Sequence, residues 1–293
     1  AGDYPPSADA PARFPKGYAS FWCMKYELSQ GQYTAFLNSL TSDQQIPRTA
    51  TDPRQVAGTL ALSPSAPFRN TIQIETPATA SAPATYTCTP PDRDCNFLRD
   101  DDLLAYLDWA GLAPMTELEY ETAARGPLHP VPGEFAWGTP DIRDANTVTE
   151  DGTPTESVSE SVSGSTGLAS HGYAGPQGPL RCGFAAKATT ARNAAGASYY
   201  GCFELSGSLW ELCVTLSDAG LPYSGQNGVG ELDANGSINA PNLPTEDGIG
   251  FRGGVWNSGI LPGFRDLAIS DRFYAGLAAN TRRNTSGGRG VRR

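Results

Sequence analysis

The sequence predicts a loop-rich fold of short helices and strands, and three observations point there. Its 293 residues include 33 Gly and 24 Pro, too many backbone breakers for long helices to dominate. A hydrophobic fraction of 39% and an aromatic fraction of 10% still supply a core, for one large domain or two small ones. Six cysteines, an even number, in a chain of little regular structure suggest disulfides and an oxidising compartment.

Residues 1–18 are Pro/Ala-rich and read as an extended arm. Phe21 to Leu28 is a strand-like run. Ser29 suits a helix N-cap, and Tyr33, Phe36, Leu37 and Leu40 then follow at helical spacing. Residues 41–95 are rich in Pro, Thr, Ser and Ala and read as an irregular polar excursion with short strands. Asp100 or Asp101 caps a helix over Leu103, Leu104, Leu107 and Trp109, which Gly111 stops. Thr116-Glu117-Leu118-Glu119 is a capping box and opens another short helix. Residues 149–180 and 223–250 are Gly-, Ser- and Asp-containing surface insertions. Between them, Tyr199 to Leu205 reads as a strand entering a tight Ser206-Gly207-Ser208 turn, and Trp210-Glu211 follows.

The net charge is −10, which excludes non-specific nucleic-acid binding, since that needs a basic field. The charge is uneven. Residues 251–293 carry eight Arg against Asp266 and Asp271, a local balance of +6, which leaves −16 for the rest. Such a tail either binds an anion or pairs with the acidic body of its own fold. The second reading is favoured, because Arg forms planar, multidentate ion pairs.

Cys88 and Cys95 flank a Pro-Pro-Asp-Arg turn and are the most plausible local pair. Cys202 and Cys213 straddle the Ser-Gly turn and form a second candidate pair. A free thiol stays open for Cys23, and connectivity is not deducible from the sequence. No apolar run is long enough for a membrane span. The start at Ala-Gly-Asp fits a processed mature chain or an excised domain, and export to the cell surface or beyond is the expectation.

Catalytic constellations are thin. His129 and His171 lie far apart, without metal-ligand spacing. Glu117, Glu119 and Glu121 read as helix capping, with Glu121 paired to Arg125 at i,i+4. The Asp233-Ala234-Asn235-Gly236 loop begins like an EF-hand loop but has no glutamate at its twelfth position.

Five ordered blocks from about residue 19 onward resemble the formylglycine-generating enzyme, or sulfatase-modifying factor, family. The strand–helix opening is one. Leu112-Ala113-Pro114-Met115-Thr116-Glu117-Leu118-Glu119-Tyr120-Glu121-Thr122-Ala123-Ala124-Arg125-Gly126 is similar to the family's Arg-Leu-Pro-Thr-Glu-Ala-Glu-Trp-Glu-Tyr-Ala-Ala-Arg-Gly. Phe135-Ala136-Trp137-Gly138, with Asp144-Ala145-Asn146 beyond it, matches a third. Ser206-Gly207-Ser208-Leu209-Trp210-Glu211 resembles the Ser-Gly-Asn-Val-Trp-Glu turn, with Ser208 where the family usually has Asn. The finish from Arg252-Gly253-Gly254-Val255-Trp256 to Arg289-Gly290-Val291-Arg292-Arg293 resembles the family ending.

The resemblance implies an irregular α+β fold related to C-type lectins, with short helices around small antiparallel sheets. It also implies a single domain over 19–293 behind the arm at 1–18. The family's copper(I) site needs a cysteine pair just after the Gly-Gly step. Here Ser258 falls near the first position and no cysteine follows Cys213. No copper is therefore expected and no catalytic residue is assigned. Calcium is the cation the resemblance suggests, with Asn146 and Glu211 as surviving ligand positions. A non-catalytic extracellular or cell-surface binding or structural domain is the leading expectation, with protein partners, self-assembly or glycans as its contacts. The alternative is an enzyme of the family using a different centre. The candidate binding surface is Trp256, Asn257, Phe264, Arg265, Arg272, Tyr274, Arg282 and Arg283.

Overall fold

The computed structural model describes residues 9–63, 65–241, 243–244, 246–259, 266–277 and 279–293. Its elements are short because Gly and Pro interrupt them. In chain order they are β1 (Trp22–Cys23), α1 (Gln30–Ser39), α2 (Ser42–Arg48), β2 (Gln73–Thr76), β3 (Thr85–Thr87), α3 (Asp100–Trp109), β4 (Ala113–Pro114) and α4 (Glu117–Arg125). There follow β5 (Ile142–Asp144), β6 (Val148–Thr149), β7 (Ser157–Val158), β8 (Gly167–Ala169), β9 (Trp210–Val214), β10 (Ile249–Arg252), β11 (Ser286–Gly287) and β12 (Gly290–Arg292). This is an irregular, loop-rich α+β fold.

Capping chemistry places the helices. Ser29 accepts from the Gln32 amide while the Gln32 side chain accepts from the Ser29 amide. Thr41 and Gln44 repeat the box at α2, and Thr116 and Glu119 at α4. Each box satisfies end amides that the helix leaves free. For α3 the cap is Arg99, not Asp100 or Asp101. Its amide donates to Asp102 Oδ2, and the three aspartates fill the first turn, where the helix dipole favours negative charge. The apolar faces of α1 and α3 meet through Phe36, which packs edge-on against Tyr106 and tilted against Trp109.

Two small sheets carry the centre. In the first, β12 lies between β1 and β4, antiparallel to both. In the second, β9 lies between antiparallel β10 and parallel β11. Every residue of β9 is buried. The strand is fully apolar except for Glu211, so that one carboxyl must find a partner inside.

Three expectations are corrected. The run from Phe21 to Leu28 forms a strand only at Trp22–Cys23, because the chain then turns to feed α1. Residues 199–205 form no strand; the strand follows the Ser-Gly-Ser turn instead of preceding it. Residues 41–95 hold the short strands expected there, β2 and β3, but also α2, and they place Ala61, Leu62, Ile72, Ile74 and Tyr86 in the main core. Their many Pro and Thr break periodicity without preventing burial. The described part of the arm is also packed down: Phe14 is buried, and Thr116 Oγ1 donates to the Pro15 carbonyl at 2.8 Å.

Candidate functional site

The Ser-Gly-Ser turn is a hub of long-range hydrogen bonds. Ser206 Oγ donates to the Leu267 carbonyl at 2.7 Å and accepts from the Ala136 amide. The Gly207 amide reaches Gly253, the Ser208 amide reaches Ser170, and the Trp256 amide donates back to Ser208 at 2.7 Å. Gly207 has φ +97°, and a Cβ there would stand 2.5 Å from the Ser170 oxygen, so the turn requires glycine. Ser208 also has a positive φ, +63°. This is unusual for serine and is held by the bond from its Oγ to Asp94 Oδ2 at 2.6 Å.

Around this turn lies a buried acidic network. Glu27 Oε1 accepts the Leu209 amide, Glu204 Oε1 accepts the Gly183 amide, and Asp94 Oδ1 accepts the Cys182 thiol at 2.9 Å. Glu211 Oε1 meets Arg289 at 2.5 Å, and Arg289 also donates to the Phe203 carbonyl. The second oxygens of Glu27, Glu204 and Glu211 are buried without a hydrogen-bond partner. Burial therefore pushes all four carboxyls up, Asp94 to about 6, with Arg289 only partly opposing this. The Arg289 guanidinium is raised: burial alone would lower it, but Glu211 and the neighbouring thiols and carboxyls prevail.

Residues of the C-terminal segment divide sharply. Trp256 is 2% exposed; its indole donates to the Asn284 carbonyl and packs on Phe68. Arg272 is held by Glu117 at 2.7 Å and Arg282 by Asp102 at 2.8 Å. These three are supports, as pairing of the basic tail with the acidic body requires. Asn257 is half-buried and Arg283 is exposed. Tyr274 is half-buried against Trp210 and Phe273, with exposed Tyr173 near it. Phe264 and Arg265 lie outside the described residues.

The candidate disulfides are not formed, and all six cysteines are free. Cys213 points into the core from β9, whereas Cys202 sits before the turn and faces Cys23. Cys202 and Cys213 share one apolar cluster, but no bond joins them. Cys88 packs against the core that holds fully buried Cys95, and no bond joins them.

The sulfatase-modifying factor enzyme 1-like domain matches residues 7–293. The chain belongs to this family. Among solved structures, Treponema denticola variable protein 1 is similar at 12% identity, over 93% of this chain and 84% of that one, with a TM-score of 0.40. No curated protein matches.

For a sulfatase-modifying factor domain, copper(I) after the Gly253-Gly254 step would call for thiolates. Ser258 stands there instead, buried, donating to Asp266 Oδ2 at 2.6 Å and accepting the Val255 amide. These residues do not fit copper. Calcium prefers oxygen donors. Asn146 Oδ1 and the neighbouring Asp144 Oδ1 are buried without a partner, so this pair fits a hard cation in part. Glu211 fits less well, because Arg289 already holds Oε1 and neutralises its charge, leaving only Oε2 without a partner. Among the described residues no group of three or more His, Cys, Asp or Glu converges as a metal site, and no helix is long and apolar enough to cross a membrane.

Spacing carried no sign of the Glu27–Asp94–Glu204–Arg289 network or of the Cys23–Cys202 contact. Their members come from distant parts of the chain. The one available signal was an isolated glutamate within each apolar run, Glu27 and Glu211.

Proposed function

We propose that this chain is a non-catalytic binding domain of the sulfatase-modifying factor family, exported to the cell surface or beyond, where it serves as a subunit of a larger assembly. One observation carries the reading. Where the family's copper would call for a thiolate, buried Ser258 is hydrogen-bonded to Asp266, while Tyr173 and Arg283 are exposed and Asn257 and Tyr274 are half-buried. Those loops are pinned from below by Arg252, Arg272 and Arg282. A fixed loop surface with aromatic and arginine side chains suits recognition of a protein or glycan partner.

The decisive assay offers a Cys-x-Pro-x-Arg peptide with copper(I) and oxygen. No turnover is expected; turnover would overturn the reading and restore an enzyme with another centre. Binding is tested on a glycan array and a displayed peptide library. Hits should be lost in a Tyr274→Ala, Arg283→Glu variant that melts like the parent. Assembly predicts oligomers by negative-stain imaging, and a strictly monomeric particle at high concentration counts against it.

Calcium at Asp144 and Asn146 belongs to this proposal. Chelation is expected to lower the melting temperature, and Asn146→Ala to remove that sensitivity. An unchanged melt with no metal by elemental analysis would remove calcium from the account.

A further inference from the structure

The six thiols are not equivalent. Cys95 and Cys213 are fully buried, and burial pushes both up. Cys182 is raised by burial and by Asp94, and half-buried Cys88 is raised by burial. Cys202 alone is lowered, to about 6, first by the hydrogen bond it shares with the Cys23 thiol, which also reaches the Met24 carbonyl at 3.5 Å, and then by Arg289, Ser198 and Lys25. Cys23 moves the opposite way, as the donor of that bond should. Glu211 is the acidic group acting on both thiols.

Backbone geometry sets this pair side by side. The Phe203 amide donates to the Lys25 carbonyl at 2.8 Å, so residues 202–203 run along residues 23–25. Both cysteines line one cleft of about 430 Å³, together with Tyr18, Phe21, Trp22, Ala123 and Tyr200. Its rim is open: Tyr18 and Trp22 are 92% and 82% exposed. Cys202 is only 6% exposed, but it lines this cleft beside two cations and a second, half-buried thiol, the surroundings of a reactive cysteine.

We propose that Cys23 and Cys202 form a thiol–disulfide exchange site that reacts with small disulfides entering this cleft. The Cys202 thiolate attacks one sulfur of the external disulfide. A mixed disulfide forms on Cys202 and one external thiolate leaves. Cys23 then loses its proton to solvent and attacks the Cys202 sulfur, expelling the second external thiolate. Two protein thiols are oxidised and one external disulfide is reduced to two thiols, which take up the two protons released. The resulting bridge ties β1 to the segment that enters the Ser-Gly-Ser turn. This inference does not depend on the binding role proposed above.

The test treats the full chain with glutathione disulfide, quenches with an alkylating agent and maps the peptides by mass spectrometry. A Cys23–Cys202 bridge is expected in the parent. Cys23→Ser should accumulate the glutathione adduct on Cys202, and Cys202→Ser should give neither adduct nor bridge. In a Cys23→Ala chain, which has no donor at that position, the pH at which Cys202 alkylates should also rise. In the parent, alkylation of Cys202 should reach half its limiting rate near pH 6. A bridge between other cysteines, an adduct on Cys23 but not Cys202, or a parent midpoint near an ordinary thiol value of 9 would overturn the proposal. The parent measurements stand even where a variant fails to fold.

Discussion

Two of the buried polar clusters in this molecule solve the same problem differently. Beneath the Ser-Gly-Ser turn, Arg289 is the cation that acts on all four carboxyls of Glu27, Asp94, Glu204 and Glu211, and Arg181 adds to it only at Glu204. Under the C-terminal loops, Glu117 and Glu121 are matched by Arg252, Arg272 and Arg125. The matched cluster stays charged. Burial alone would raise Glu117, yet Arg272 and Arg252 hold it below the usual carboxylate range. In the unmatched cluster burial wins instead, and all four carboxyls are shifted upward. Ion pairing thus fixes one region, and burial governs the other.

Removing a cation should separate the two most clearly. Arg289→Met leaves Glu211 without a counter-charge and is expected to cost about 3–5 kcal/mol in a urea titration. Arg252→Met should fall at or below the low end of that range, since Arg272 still holds Glu117. Equal losses would mean that the second arginine does not compensate.

Acidity is the next lever. Asp94 titrates near 3.8 in an unfolded chain and at about 6 in the fold. Between those values the folded state holds a proton that the unfolded chain has lost. Raising pH through this window therefore favours unfolding. Glu27 and Glu204, raised well above 4.5, extend the same trend upward. The melting temperature is expected to rise as pH falls from 8 to 5. Glu27→Gln should flatten that slope, and a melt that falls over this range would break the comparison.

Smallest is the loss of one bond. Ser208→Ala deprives Asp94 Oδ2 of its hydroxyl donor; the expected destabilisation is about 1–3 kcal/mol, read by thermal or chemical melts. Asp94 should then titrate higher still, and an unchanged pH profile would show that Ser208 does not tune it.

Local chemistry made much of this fold legible beforehand. The capping boxes at Ser29 and Thr116 depend on residues three apart, so the sequence alone placed the starts of α1 and α4. The Glu121–Arg125 pair is equally local. Ordered motifs, read together, pointed to the family and to its α+β fold. The basic C-terminal segment, set against an acidic remainder, already implied internal pairing, and the arginines at 252, 272, 282 and 289 pair in that way.

Tertiary structure alone decided the rest. Ser208 meets Asp94 across 114 positions, Glu211 meets Arg289 across 78, and Cys202 faces Cys23 instead of Cys213. Trp256, which reads as a surface aromatic, is a support inside. No periodicity encodes such pairings, because they are set by where loops cross once the two small sheets have formed. Hydrogen bonding at three-residue spacing is a property of the chain; which carboxyl keeps its proton is a property of the packed interior.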